Sequence, residues 1–275
     1  TRYTEIWVNG TLSDKRPIAS GSSSGGGGYY GARASDFIAQ GDGSAANPYN
    51  GSAIQAAINA LPRGGIVFIK EGIWGRSGES RIQIPFGNGK FVIQGAGCLQ
   101  TGYEGDSNAK MRGGTQVLNG FDCYSPTAFQ DLYVGPTLVG NTPCIKYILD
   151  PSRGQIFVWL GGFKIKNVTT FWASPHIWFT GQNFGTTGAP WQIWKAVIEN
   201  VWCVGGAGPA FKVDMGDSNV QAYPGQLELY VRNFSAQGVA VSGSNRTWDV
   251  QCGNVRGIWE GFLLEGCGNP GADYT

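Results

Sequence analysis

The sequence predicts an all-β chain, a solenoid of stacked strands entered through one short helix. A pattern of apolar-x-apolar-x-Asn-apolar begins at Phe163, Ala196 and Leu229, so that Asn167, Asn200 and Asn233 fall thirty-three residues apart. Self-similarity at such a period marks repeat architectures, in which each unit buries its apolar face on the next. Helical periodicity is almost absent after residue 62, while short alternating runs continue. The chain is also rich in glycine, with 45 in 275 residues, more than twice the usual ~7%, as frequent turns require. A large β-sandwich is the alternative that recurring strands allow.

Residues 1–50 read as an N-terminal arm ahead of a body spanning 51–275. A short apolar run, Ile6-Trp7-Val8, is followed by a Gly/Ser stretch whose four consecutive glycines end at Gly28; such composition buries no apolar surface and makes connectors. Ser52 is then a candidate N-cap, and Ile54, Ala57, Ile58 and Leu61 recur at i, i+3, i+4 and i+7 before Pro62 and Gly64 end the helix. Ile66-Val67-Phe68-Ile69 reads as a buried strand. Residues 98–160 are turn-rich and fit the repeat less well, as long excursions or a side layer would. In the repeat itself, alternation turns one face inward. An Asn at the bend tolerates left-handed backbone and can bond to an Asn one coil away. A fourth copy of the pattern places Asn254 twenty-one residues after Asn233.

Composition narrows the function. Hydrophobic residues make up 41% of the chain, charged residues only 14%, and the net charge is +1 with scattered Lys and Arg, which argues against a nucleic-acid partner. No apolar run is long enough to span a membrane. The polar inventory of Tyr, Trp, Asn, Ser and Thr points to extracellular or particle-surface material. Five Asn-x-Ser/Thr sequons, at Asn9, Asn50, Asn167, Asn233 and Asn245, are compatible with export. The six cysteines are too widely spaced for a Cys-x-x-Cys site and read equally as disulfides or as buried thiols.

The string GSAIQAAINALPRGGIVFIKEGIW (residues 51–74), with Asp42-Gly43-Ser44 before it and Phe91-Val92-Ile93 after it, resembles the opening of the pectate-lyase-like superfamily. The resemblance spans residues 36–97. It implies a right-handed parallel β-helix with a short N-terminal capping helix, like those of viral and phage tailspike bodies, and a trimeric assembly. The catalytic signatures of the enzyme families are missing: no Asn-Thr-Asp, Asp-Phe-Ile-Phe-Gly or Arg-x-Pro-x-x-Arg string occurs.

The residues offer two kinds of chemistry. Glycoside hydrolysis needs two carboxyl groups across the bond; Asp214 and Asp217 are the closest pair, with Asn219 nearby as a possible Ca²⁺ ligand, and Glu228, Asp249, Glu260 and Glu265 are further candidates. The single histidine, His176, in FWASPHIWF is expected to be packed, and no metal or other cofactor is called for. Aromatic platforms are the second kind. Trp172, Trp178, Trp191 and Trp194 cluster near the repeat and present faces suited to sugar rings or protein interfaces. The leading reading is a surface-displayed glycan or host-receptor recognition protein, homo-oligomeric, with residues 1–50 docking onto a larger particle. The alternatives are a secreted polysaccharide lyase or glycoside hydrolase, and a structural subunit of a particle or filament.

Overall fold

The apolar face at residues 54–61 folds as α1 (Ser52–Asn59), burying Ala53, Ile54, Ala57 and Ile58. This computed structural model describes residues 3–8, 11–17, 31–37, 39–44, 46–87, 89–98, 114–135, 142–150, 163–181, 192–214, 226–239, 247–250, 254–265 and 267. Ser52 is not the cap. Gly51 holds that position, and the Glu79 carboxylate accepts from the amides of Gly51 and Arg76, each at 2.8 Å. A carboxylate beside the free amides of a helix start is favourable; here it arrives from 28 residues downstream.

Ahead of the helix, β1 (Tyr3–Val8) and β2 (Thr11–Pro17) pair antiparallel. β3 (Gly31–Arg33) pairs in parallel with β4 (Gly65–Phe68), and Ala34 is fully buried in the core. The body therefore includes residues from Gly31 onward, and the expected boundary at residue 50 is too late. The glycine run at 25–28 lies outside the described residues.

Two parallel sheets make up the body. One runs, in order, through β3, β4, β7 (Phe91–Gln94), β10 (Thr127–Val134), β12 (Lys164–Phe171), β14 (Gln192–Val204), β16 (Gln226–Gln237) and β18 (Asn254–Glu265), with β5 (Gly72–Trp74) and β8 (Thr115–Val117) alongside. The other runs through β6 (Ile82–Ile84), β9 (Phe121–Cys123), β11 (Ile145–Leu149), β13 (Ile177–Gly181), β15 (Phe211–Asp214) and β17 (Trp248–Val250). The chain visits the sheets in turn and returns one strand further along, which makes a parallel β-helix and rules out a sandwich. Within residues 98–160, the described stretches 114–135 and 142–150 place β8 to β11 in register within the coils; 99–113, 136–141 and 151–160 lie outside the described residues.

Each of the long strands β10, β12, β14 and β16 turns a corner at a left-handed residue, and β14 has a second, Lys195, at its register shift against β16. Asp131, Asn167, Asn200 and Asn233 have φ between 52° and 56°, a region that Asn and Asp tolerate better than most residues. Strict alternation would turn one of Ile198 and Val201, three positions apart, out to solvent. The left-handed residue between them resets the alternation, and both are buried, as are Val231 and Phe234 in the next coil. The corner amides form a ladder: Asn233 Nδ2 donates to Asn200 Oδ1 (3.0 Å), Asn200 to Asn167 (3.0 Å) and Asn167 to Asp131 (2.7 Å). Gln94 Nε2 adds a bond to Asp131 Oδ2 at 2.6 Å. The fourth rung differs from the sequence reading. Asn254 pairs with Gln226 at the start of β18, and the corner after Asn233 falls at Gly261, φ 67°. A side chain there would meet Asn233 Oδ1 at 2.6 Å, so the ladder stops.

Inward residues stack coil on coil. Val67, Ile93, Phe129, Ile165, Ile198 and Val231 form one column through the first sheet. Opposite it, Phe179 touches Phe163, Tyr147 and Phe211 with ring centroids 4.5 to 5.5 Å apart, and Phe211 stacks on Trp248 at 4.2 Å. Burying each such side chain contributes about 1.5–3 kcal/mol. No helix among the described residues is long and apolar enough to cross a membrane.

The ladder yields a prediction. Asn200→Ala removes two amide bonds and puts a Cβ-bearing residue of low left-handed tolerance at the corner, so it should destabilise by about 2–3 kcal/mol in urea titrations. Asn200→Gly, which keeps the backbone but not the bonds, should lose about 1 kcal/mol less. Equal losses would mean that the amides, and not the backbone, set the effect.

Candidate functional site

The histidine and three of the candidate acidic residues are occupied structurally, while Asp249 lies beside Lys212 in the six-stranded sheet and Glu265 ends β18. His176 is fully buried. Its Nε2 lies 2.7 Å from the Gly205 carbonyl and its Nδ1 2.9 Å from Thr170 Oγ1. A carbonyl only accepts, so Nε2 carries the proton and the threonine hydroxyl donates to Nδ1. Burial pushes its pKa down to about 4. Among the carboxylates, Asp214 pairs with Lys212 (3.1 Å), Glu228 with Arg256 (3.6 Å) and Glu260 with Arg232 (3.5 Å). Tyr230 also donates to Glu228 at 2.6 Å. Asp217 and Asn219 lie outside the described residues, so the expected Asp pair and its Ca²⁺ reading have one described member. No group of three His, Cys, Asp or Glu side chains suited to a metal ion occurs among the described residues.

The five described cysteines are thiols, and Cys252 lies outside the described residues. Cys98, Cys123, Cys144, Cys203 and Cys267 are free, and all but Cys98 are buried; burial pushes the thiols of Cys123, Cys144 and Cys203 up, the last to about 12. Two sequons, Asn167 and Asn233, are rungs of the amide ladder.

The four tryptophans separate. Trp191 lies outside the described residues. Trp194 is partly buried, donates its indole N–H to Gln192 Oε1 (2.9 Å) and has the Arg256 guanidinium 4.4 Å above its ring. Trp178 is partly buried on the outer face of the six-stranded sheet. Of the three described, Trp172 alone is broadly exposed, at 60%. It sits where β12 ends, with φ 47°, a conformation in which a bulky residue is an outlier. In the next coils the same corner is taken by Gly205 and Gly238, φ 62° and 61°. The missing side chain at Gly205 makes room for the indole: a Cβ there would come within 3.1–3.2 Å of three of its ring carbons. One indole face thus rests on glycine, and the ring is displayed by backbone that glycine would occupy with less strain.

On the six-stranded sheet, parallel register lines up Gln83, Asp122, Lys146, Trp178, Lys212 and Asp249. Arg81 fixes the start of this row, with Nε 2.8 Å from Asp122 Oδ1 and its other nitrogens on the carbonyls of Pro143 and Phe121. Lys146 Nζ is 4.7 Å from the Trp178 ring centroid and Lys212 Nζ 5.6 Å, so two ammonium groups from neighbouring coils flank one indole. Burial pulls the Lys146 pKa down, and Lys146 makes no ion pair among the described residues. The Trp178 indole N–H is buried without a hydrogen-bond partner. The centre of this row sets two ammonium groups around an indole, with Asp122 on one side and Asp249 on the other. Its lysines have no signal in the sequence, because Lys146 and Lys212 meet around Trp178 only through coils of unequal length.

A cavity of about 470 Å³ lies toward the other end, lined by residues that include Pro48, Ile73, Arg76 and Leu118; it contains neither a carboxylate pair nor a tryptophan. Comparison with family models, curated proteins and solved structures finds no match.

Two predictions follow from these sites. His176 binds its proton more weakly folded than unfolded, so stability is fully present above pH 6.5 and falls as pH drops toward 4. Between pH 7 and pH 5 the loss should be about 2 kcal/mol, read from urea midpoints, with a shallower slope in His176→Gln. At Trp172, glycine relieves a left-handed strain of about 1–2 kcal/mol. Trp172→Gly should therefore match or exceed the parent in stability while Trp172→Ala does not; a large loss with glycine would show that the ring is needed for packing.

Proposed function

We propose that the chain is a surface-displayed β-helix that recognises a glycan or a glycan-bearing receptor, in the manner of a tailspike or fibre body, outside the cell or on a virion surface. The observation that carries this reading is Trp172. An indole 60% exposed, held at φ 47° on a corner where the following coils use glycine, is retained against its backbone cost. Strain kept at an exposed position favours a functional role, and a flat aromatic face open to solvent suits the apolar face of a sugar ring. The strip of Lys146, Trp178 and Lys212 adds cationic groups on a second face.

Binding without hydrolysis fits the carboxylates better than catalysis does. Asp214, Glu228 and Glu260 are each engaged in an ion pair within 3.6 Å, whereas a glycosidase needs two carboxyl groups facing each other across the scissile bond.

A glycan array probed with the purified chain and with Trp172→Ala tests the proposal. The expected outcome is selective retention of a small set of glycans, weakened at least tenfold by the substitution, with Trp172→Phe retaining part of the binding. No retention by the folded parent, or retention indifferent to Trp172, would overturn it. Release of new reducing ends from a bound polysaccharide would replace it with the hydrolase reading.

A further inference from the structure

The last described coil differs from those before it. At inward positions where β16 places Leu227, Val231, Phe234 and Ala236, all at most 2% exposed, β18 places Val255, Trp259, Phe262 and Leu264, exposed by 40%, 41%, 37% and 46%. Its outer face adds exposed apolar side chains beside the charged Arg256 and Glu260. Ile258 and Leu263, at 57% and 59% exposure, stand where β16 carries Tyr230 and Ser235. β18 is also the edge of its sheet, bonded to β16 on one side only among the described residues. A long, apolar, unpaired edge strand is a template for another chain, and a contiguous apolar patch of this kind marks an interaction site.

We propose that this end is a two-fold interface with a second copy of the chain, the two β18 strands pairing antiparallel about an axis at Ile258. Head-to-tail stacking does not fit, because the opposite end of the same sheet is β3, three residues long, with α1 packed against it. Two copies joined through the same end form an isologous contact, which closes on itself.

Side-chain complementarity selects the register. With the axis at Ile258, Arg256 lies opposite the partner's Glu260, and Glu260 opposite the partner's Arg256, all four on the outer face. Trp259 then lies opposite the partner's Gly257, where the absence of a side chain leaves room for the indole, and Val255 opposite the partner's Gly261. Moving the axis one residue in either direction sets Ile258 against Arg256 or against Glu260. The charges of the existing sheet support the same register. Lys166, Glu199, Arg232 and Glu260 already follow one another across β12, β14, β16 and β18, with ion pairs at 3.2 Å and 3.5 Å at the two ends of the row. The partner's Arg256 and Glu228 continue that alternation across the axis, and opposite charges directly across strands are stabilising. This interface is two-fold, unlike the trimer that the tailspike resemblance implies, and it is independent of any glycan.

Light scattering after size exclusion, on the full chain at micromolar concentration, should give twice the 29.3 kDa of one chain. Ile258→Lys, which sets two ammonium groups against each other on the axis while leaving the core untouched, should give a folded monomer by circular dichroism. Ile258→Cys should form an intermolecular disulfide on mild oxidation, whereas Leu263→Cys, equally exposed but far from its own copy in this register, should not. A monomeric parent, which would leave the face to another occupant such as residues 268–275, overturns the proposal. So does a trimer, a dimer indifferent to Ile258→Lys, or cross-linking at Leu263→Cys but not at Ile258→Cys.

Discussion

The fold depends on turning a strand through a corner without losing the inward order of its side chains. A left-handed residue does this in each of β10, β12, β14 and β16, so that residues three apart, such as Ile198 and Val201, both enter the core. The requirement repeats at the same height in every coil, and it therefore selects the same residue type. Asparagine meets it twice over, because its backbone tolerates the conformation and its amide both donates and accepts along the stack. Asp131 begins the ladder as an acceptor from Asn167 and Gln94. Gly261 ends it.

Once the corner is set, parallel register determines what the outer surface can carry. Like charges in neighbouring coils would stand opposite one another, and the chain answers with few charges, ordered by sign. Lys166, Glu199 and Arg232 alternate across one sheet, and Asp122 and Lys146 are adjacent on the other. The pairing of Lys146 and Lys212 around Trp178 departs from this order. Two cations flank one indole there, and the carboxylates of the row, Asp122 beside Lys146 and Asp249 beside Lys212, stand one coil further out.

The two ends of the solenoid are treated differently. At the start, α1 packs its apolar face near β3 and β4, and Glu79 completes the first turn of the helix. At the other end β18 repeats the inward pattern of β16 with larger side chains and no coil beyond it among the described residues. Phe234, Trp248, Trp259 and Phe262 form a continuous aromatic cluster there, with centroids 4.9 to 5.8 Å apart. That cluster is half core and half surface, which is why a self-complementary partner is the natural completion.

The periodic features were legible in the sequence because they are local. The helix face from Ile54 to Leu61, the strand at β4, the alternation around Asn167, Asn200 and Asn233, and the bond from each Asn to the next all follow from spacing and from what asparagine does at a bend. The helix cap, the final corner and the surface chemistry were not legible. Glu79 reaches Gly51 across 28 residues, Gly261 takes the corner that the pattern assigns to Asn254, and Lys146 meets Trp178 through coils whose loops differ in length. Exposure divides the tryptophans in a way composition cannot: Trp194 lies under Arg256, while Trp172 projects over Gly205. The sequence by itself determined the repeat, its corner residue and the β-helix, since each is a property of neighbours along the chain. Only the tertiary structure decided which side chains share a face, because register between coils is set by stacking and closes over loops that spacing does not encode.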